Sequence, residues 1–185
     1  MLHRKLLVEE RGIFAQHLKR LAPTDRQFRF AHSRINDEWI DKYVAGIADD
    51  DMILGCFDGD ALVGAAHVAF SGPVAEVGIS VDSHYRAQGV GAELIRRAVR
   101  WTRNRRAERL YTLCQSDNTS MVALARKLGM SIHRESGTAE AFLPLDPPDL
   151  LSVGDEWSAE MDGLAQDWFD MVRACQGALL PKAEG

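Results

Sequence analysis

No stretch of this chain is long and apolar enough for a membrane. Its 185 residues contain no hydrophobic run near the roughly 18 that a spanning helix needs. The first residues, Met1-Leu2-His3-Arg4-Lys5-Leu6-Leu7-Val8, start basic, but Glu9-Glu10-Arg11 cuts the apolar run short, so they do not read as a secretory signal. Cysteine is scarce: Cys56, Cys114 and Cys175 are odd in number, widely spaced and without a metal-ligand pattern. That excludes a disulfide framework and suits a reducing, cytoplasmic location. Positive charge is not in excess either. Lys and Arg number 22 against 27 Asp and Glu, a net charge of −5, which argues against nucleic acid as the principal partner. Arg96, Arg97, Arg100, Arg103, Arg105 and Arg106 cluster, but near the C-terminal end of an expected helix, where cations are favoured on a solvated face. Asp49-Asp50-Asp51 lacks the ligand ladder and closing Glu of a calcium loop and reads as a polar break, so no metal site is expected. Internal repeats and low-complexity tracts are absent, and the length suits one domain with a well-buried core.

What is present is a succession of periodicities. Phe14, Leu18 and Leu21 fall at helical spacing, with Pro23 expected to close that helix. Asn36 is placed to cap a second helix carrying Trp39, Ile40, Tyr43, Val44 and Ile47 on one face. Met52 to Phe57 and Ala61 to Phe70 are β-like runs around Asp58-Gly59-Asp60, a hairpin signal, and Ser71-Gly72-Pro73 turns into a third strand, Val74 to Val81. A helix follows with Leu94, Ile95, Ala98, Val99 and Trp101 inward, then a strand from Arg109 to Cys114 and a helix from Asn118 to Leu128 stopped by Gly129. Ser131 to Arg134 and Ala139 to Leu145 complete the strands. The order predicts an α/β protein: a mixed, mostly antiparallel sheet with helices on its faces. Residues 1–146 form the expected domain. Residues 147–185 read as a linker and a helix in which Trp157, Met161, Leu164, Trp168, Met171 and Cys175 alternate by four and three. Such a seam packs on its own domain or on a second copy of the chain.

The most informative segment is Val81-Asp82-Ser83-His84-Tyr85-Arg86-Ala87-Gln88-Gly89-Val90-Gly91. It joins a strand to a helix, where free backbone N–H groups and the positive end of the helix dipole converge, and so predicts a phosphate or pyrophosphate site. Two glycines let a ligand approach the backbone with no Cβ in the way. A dinucleotide fingerprint would need a third glycine and an acid about 20 residues on. A nucleoside-triphosphate loop would need Gly-Lys-Ser/Thr, which is absent.

The remaining pattern, Arg-x-x-Gly-x-Gly after a strand that begins Ala-Glu and ends in Val, resembles the acetyl-coenzyme A loop of GNAT-type N-acetyltransferases. A second block, Asn118-Thr119-Ser120-Met121-Val122-Ala123-Leu124-Ala125-Arg126-Lys127-Leu128-Gly129-Met130, is similar to that family's Asn-x-x-Ala/Met-x-x-Leu-Tyr/Ala-x-x-x-Gly-Phe signature. The resemblance covers roughly Glu9 to Leu145. It implies the GNAT fold, acetyl-CoA as co-substrate and an amine acceptor. Main-chain groups of Ile79, Ser80 and Val81 are then expected to pair with the pantetheine arm, and those of Arg86, Ala87, Gln88, Gly89, Val90, Gly91 and Ala92 to wrap the pyrophosphate. Arg86 adds charge, and Asn118 contacts the pantetheine side.

Transfer to an alkylammonium, whose pKa is about 10.4, requires removal of a proton. The resemblance makes Glu76 the favoured base, provided that burial raises its pKa. His67, His84 and Glu140 are rivals, with His67 also readable as a satisfied half-buried imidazole. The tyrosine that often protonates the departing thiolate would fall at Ala125, which cannot donate; water, Ser116, Ser120 and Cys114 are the substitutes. Alanine at this place, with Leu18 to Phe30 of the N-terminal region, resembles bacterial protein-lysine-acetyltransferase-like members. The expected function is therefore N-acetyl transfer to a protein lysine or a small primary amine. A GNAT-fold acetyl-CoA-binding module with little turnover is the alternative.

Overall fold

The computed structural model describes residues 1–179, with the side chains of the last helix described only in part beyond Met161. The strands are β1 (Leu2–Lys5), β2 (Met52–Asp58), β3 (Ala61–Ser71), β4 (Val74–Val81), β5 (Arg109–Gln115), β6 (Ser131–Glu135) and β7 (Thr138–Pro144). The helices are α1 (Arg11–Arg20), α2 (Pro23–Phe30), α3 (Asp37–Ala45), α4 (Val90–Asn104), α5 (Thr119–Lys127) and α6 (Leu150–Leu179). One seven-stranded sheet has the order β1-β2-β3-β4-β5-β7-β6. Every neighbouring pair is antiparallel except β4 and β5, which run parallel.

Alternation along the strands sends residues to two separate cores. On one face Phe14 and Leu18 of α1 and Ile40 and Val44 of α3 pack on Ile53, Leu62 and Ala65. On the other, Leu94, Ile95, Ala98 and Trp101 of α4, with Val122 of α5, cover Leu54, Ala66, Val68, Val77 and Leu110. Both local caps read from the sequence form: Asn36 accepts from the Trp39 N–H at 2.8 Å, and Gly129 leaves α5 at φ +75°. Each cap satisfies helix-end groups that would otherwise lack partners.

Two elements depart from the expectation. Pro23 does not merely end a helix. It opens α2 at the first helical position, where its missing N–H would have had no intrahelical partner. The other is β1, whose four residues show no clear alternation. It is a strand because the free edge of β2 pairs with it from Leu2↔Phe57 to Lys5↔Leu54.

The last helix, α6, lies across β1 and α4. The groups it turns inward are polar or small. Ser152 exchanges hydrogen bonds with Asn104, Glu156 pairs with Arg105 at 2.9 Å, Lys5 contacts Glu160, and Gly163 lies against the main chain of His3. The described residues of the seam face outward: Trp157, Met161 and Trp168 are 68%, 47% and 60% exposed. The side chains of Leu164, Met171 and Cys175 lie outside the described residues.

Candidate acetyl-coenzyme A site

The parallel pair β4–β5 holds for only three residue pairs, Val74↔Arg109, Ala75↔Leu110 and Glu76↔Tyr111. Beyond Glu76 the strands part, and β4 from Gly78 onward presents one unpaired edge to the gap. A cavity of about 530 Å³ occupies the opening. Its walls include Gly78, Ile79, Ser80 and Val81 from β4, Thr112, Leu113 and Cys114 from β5, and Asn118, Ser120, Met121 and Leu124 around the start of α5. Helix α2 closes one side with Asp25, Phe28 and Arg29. A smaller cavity of about 360 Å³, among β1, α4 and α6, contains none of the expected site residues.

At one end of the larger cavity lies the glycine turn. Gly89 caps α4 at φ +88° with open space where a Cβ would stand, and Ala87 also takes a positive φ of 59°. The first bond that closes the helix runs from the Glu93 N–H to the Gly89 carbonyl at 3.0 Å. The amides of Val90, Gly91 and Ala92 precede that bond and have no intrahelical acceptor, so the turn is a ready anion seat. Gly91 serves packing instead: a Cβ there would meet Leu124 at 3.3 Å and Ile79 at 3.5 Å, so glycine lets α4 sit close to β4 and α5.

Nine of the expected coenzyme residues line this cavity: Ile79, Ser80, Val81, Arg86, Ala87, Gly89, Gly91, Ala92 and Asn118. Gln88 instead donates from Nε2 to the His84 carbonyl at 2.7 Å, and Val90 is 2% exposed in the core. Their side chains stand apart from the cavity, whereas the expected contacts were to main chain. The Arg86 guanidinium pairs with Asp25 at 2.6 Å, tying the glycine turn to α2. The Asn118 side chain caps α5, its Oδ1 accepting from the Met121 N–H at 3.1 Å. That cap does not use its Nδ2 donors.

The side chain of Ser80 is held on the opposite face by His17. The Leu62 carbonyl can only accept, so His17 Nδ1, 3.0 Å away, carries the proton. Nε2 then accepts from the Ser80 hydroxyl at 2.9 Å. Burial, assisted by the charge of Arg20, pushes the His17 pKa down to about 4. The imidazole is thus a neutral fixture that locks β4 onto α1 and leaves the Ser80 main chain to the gap.

Glu76 is not buried. It is exposed on the sheet face shared with Tyr111 and Glu140, one register position before the strands part, and is absent from the cavity wall. Strand β4 points its odd-numbered residues into the α4 core, and no helix covers Glu76 on the other side. Tyr111 beside it is pushed up to about 12, first by burial and then by the charges of Glu140 and Glu76. Ala125 is 2% exposed, packed with Met130 and Ala141 rather than facing the cavity. Among the proposed substitutes for its missing hydroxyl, Ser120 and Cys114 line the cavity and Ser116 does not. Burial raises the Cys114 thiol pKa, keeping it protonated.

Sequence reasoning missed a set of polar residues that converge beside the gap. Asp51, read as part of a solvated loop, accepts from His67 Nε2 at 3.0 Å. His67 Nδ1 then accepts from the Tyr43 hydroxyl at 2.7 Å, whose oxygen accepts from Arg29 Nη2 at 3.0 Å. The His67 pKa is lowered by burial and by Arg29, against the pull of Asp51. His67 is therefore the satisfied half-buried imidazole that was one reading of it. At the far end, a Cβ on Gly78 would collide with the Arg29 guanidinium. The sequence signal available was the pairing of a glycine with flanking valine and isoleucine in the middle of an otherwise side-chain-rich strand.

A mixed sheet that parts beside a glycine-capped helix start defines an α/β fold with an anion seat opening onto a cleft. The acetyltransferase (GNAT) family model matches residues 15–130, and this chain belongs to that family, whose members use acetyl-CoA. The solved structures agree in fold. The GNAT domain of S. lividans PAT superposes with a TM-score of 0.67 at 17% identity, over 77% of this chain and 89% of that one. The ribosomal-protein-S18-alanine N-acetyltransferase of Escherichia coli gives a TM-score of 0.60 at 15% identity, over 80% and 96%. The PaiA N-acetyltransferase of Thermoplasma acidophilum, in complex with coenzyme A, gives 0.59 at 14% identity, over 77% and 97%. No curated protein matches the sequence. Among the described residues no helix is long and apolar enough to cross a membrane, and no His, Cys, Asp and Glu cluster is arranged to hold a metal.

Proposed function

We propose that this chain is a cytoplasmic, acetyl-CoA-dependent N-acetyltransferase that moves acetyl directly to a primary amine, either a protein lysine or a small molecule. The observation that carries this reading is the cavity running from the first-turn amides of α4 to the point where β4 and β5 part. A pyrophosphate fits the amide end. An extended amide-bearing arm fits the free edge of β4, as an added strand would. On this reading the main-chain groups of Ile79, Ser80 and Val81 bind pantetheine, and Arg86 through Ala92 bind the pyrophosphate. The Asn118 amide supplies a further donor.

The acceptor, mostly ammonium at neutral pH, first loses a proton. Its neutral nitrogen attacks the thioester carbon, the carbonyl oxygen takes up negative charge, and collapse expels the coenzyme as thiolate while the nitrogen's second proton passes to the thiolate or solvent. Glu76, exposed and outside the cavity wall, receives the ammonium's first proton through water rather than by direct contact. With Ala125 buried, the thiolate needs little help, since a thiol of pKa about 8.5 is a fair leaving group. Measuring thiol release from acetyl-CoA across a panel of amines and lysine peptides tests the assignment. Amine-dependent release is expected. Tight coenzyme binding with no release from any acceptor would instead favour a binding module, the reading that the exposed Glu76 and buried Ala125 support.

Residues 1–146 make up the catalytic domain in this reading. The heptad-like spacing of the outward seam on α6 suits a second helix of the same spacing, so α6 of a second copy is its partner, giving a homodimer.

A further inference from the structure

We propose that Arg29 is the oxyanion-binding group of this site. The inference rests on the acetyl-transfer reading above and names a residue for its central step. A ligand anchored at the glycine turn and extended along the free edge of β4 ends at Gly78, where the strand meets β5 again. At that place the wall of the cavity is the Arg29 guanidinium. It fits only because residue 78 is glycine; any side chain there would occupy the same volume.

The charge of Arg29 is unspent. Among the described residues it forms no ion pair, in contrast to Arg86, which is taken by Asp25. Its Nε is buried with no hydrogen-bond partner, and its one side-chain acceptor is a neutral hydroxyl, that of Tyr43. A half-buried cation whose only side-chain acceptor is neutral leaves donor capacity that an anion in the cavity can complete. Aromatic faces meet it as well, with Phe30 at 4.9 Å and Tyr43 at 5.8 Å from the guanidinium carbon.

The polar chain behind Arg29 fixes its direction. Asp51 accepts from His67, which accepts from Tyr43, which accepts from Arg29, so every proton in the chain points toward Asp51. Tyr43, His67 and Asp51 are positioning residues: they hold the fork over Gly78 before any ligand arrives. Such preorganisation is what makes a donor effective at a developing charge. The guanidinium receives the negative charge as the amine adds to the thioester carbon and the C=O bond becomes a C–O⁻ bond. It releases that charge when the carbon–sulfur bond breaks and the electron pair leaves with the thiolate. The same fixed cation disfavours the ammonium form of an approaching acceptor and so favours the neutral nucleophile.

The test uses the full-length chain with acetyl-CoA labelled with ¹³C at the thioester carbonyl. Wild-type protein, R29Q, R29K and G78A are compared for coenzyme affinity, for the carbonyl resonance of the bound thioester and, with an active acceptor, for kcat. Expected in R29Q is a downfield carbonyl shift lost relative to wild type, near-normal coenzyme affinity, and kcat lowered about 100- to 1,000-fold. R29K keeps part of the shift. G78A, folded by circular dichroism, loses it with Arg29 still present, because the seat is filled. A bound carbonyl signal in R29Q identical to wild type overturns the assignment. So does a defect confined to the KM of the acceptor, which would make Arg29 an acceptor anchor. Failure of the wild-type protein to bind acetyl-CoA at all overturns the acetyl-transfer reading together with it, and is told apart by the binding titration.

Discussion

The hydroxyl of Ser80 is bonded to a buried, neutral histidine: His17 Nε2 lies 2.9 Å away with its proton on Nδ1. The strand that forms one wall of the cavity is thereby tied to α1 by a neutral imidazole. Protonation would put hydrogen on both ring nitrogens, turn the Ser80 hydroxyl from donor to acceptor and place a charge in a buried site, which burial disfavours.

The pH dependence of stability follows from this. A histidine held at about 4 in the folded chain, against about 6.5 unfolded, binds fewer protons when folded between those values. Stability is full above pH 6.5 and falls as pH drops toward 4, by about 3 kcal/mol from this group. His3 and His67, also lowered, add in the same direction. Urea unfolding midpoints from pH 7.5 to 4.5 should decline for wild type and decline less steeply for His17→Gln. Equal slopes would show that His17 is not the titrating group.

Gly89→Trp should abolish coenzyme binding. Residue 89 adopts φ +88° over open space at the mouth of the turn, so an indole there clashes with no protein atom, strains the turn and fills the volume that the ligand would take. Isothermal titration with acetyl-CoA reads the result, and normal affinity in this variant would remove the glycine turn from the binding site.

Glu76→Gln should slow transfer most at low pH and leave coenzyme affinity unchanged. Near neutrality the acceptor is almost wholly ammonium and needs a proton acceptor; toward its own pKa of about 10.4 it no longer does. The variant and wild-type kcat/KM profiles should therefore converge as pH rises. A constant ratio at all pH values would assign Glu76 a role other than the base.

Ala125→Tyr should destabilise the protein without gaining activity. The side chain is buried against Met130 and Ala141, so a phenol must displace core residues at a cost of about 1–3 kcal/mol. Denaturant midpoints and kcat measured together check both halves. A rise in kcat would mean that position 125 reaches the thiolate after all.

Ending the chain at Asp146 should turn a dimer into a monomer, read as mass by light scattering. The outward Trp157, Met161 and Trp168 are the contacts removed. A full-length chain that is already monomeric would contradict the seam's proposed partner.

Local chemistry was legible from the residues alone. The caps at Asn36 and Gly129, the inward stripe of α4 and the glycine turn after Val81 all depend on neighbours within one or two helical turns, so spacing reveals them. The sequence by itself determined most of the strands and helices, though not β1 or α2, and marked the glycine turn as a place for an anion. Pairing across the sheet did the rest. An edge made β1 a strand, and the early end of the β4–β5 ladder opened the cavity. The same packing left Glu76 uncovered and buried Ala125. Arg29 over bare Gly78, and Asp51 behind His67, involve partners on different elements, which no periodicity can bring together. Only the tertiary structure decided those, because a charged side chain takes its position from whichever packed elements leave it room and a hydrogen-bonding partner.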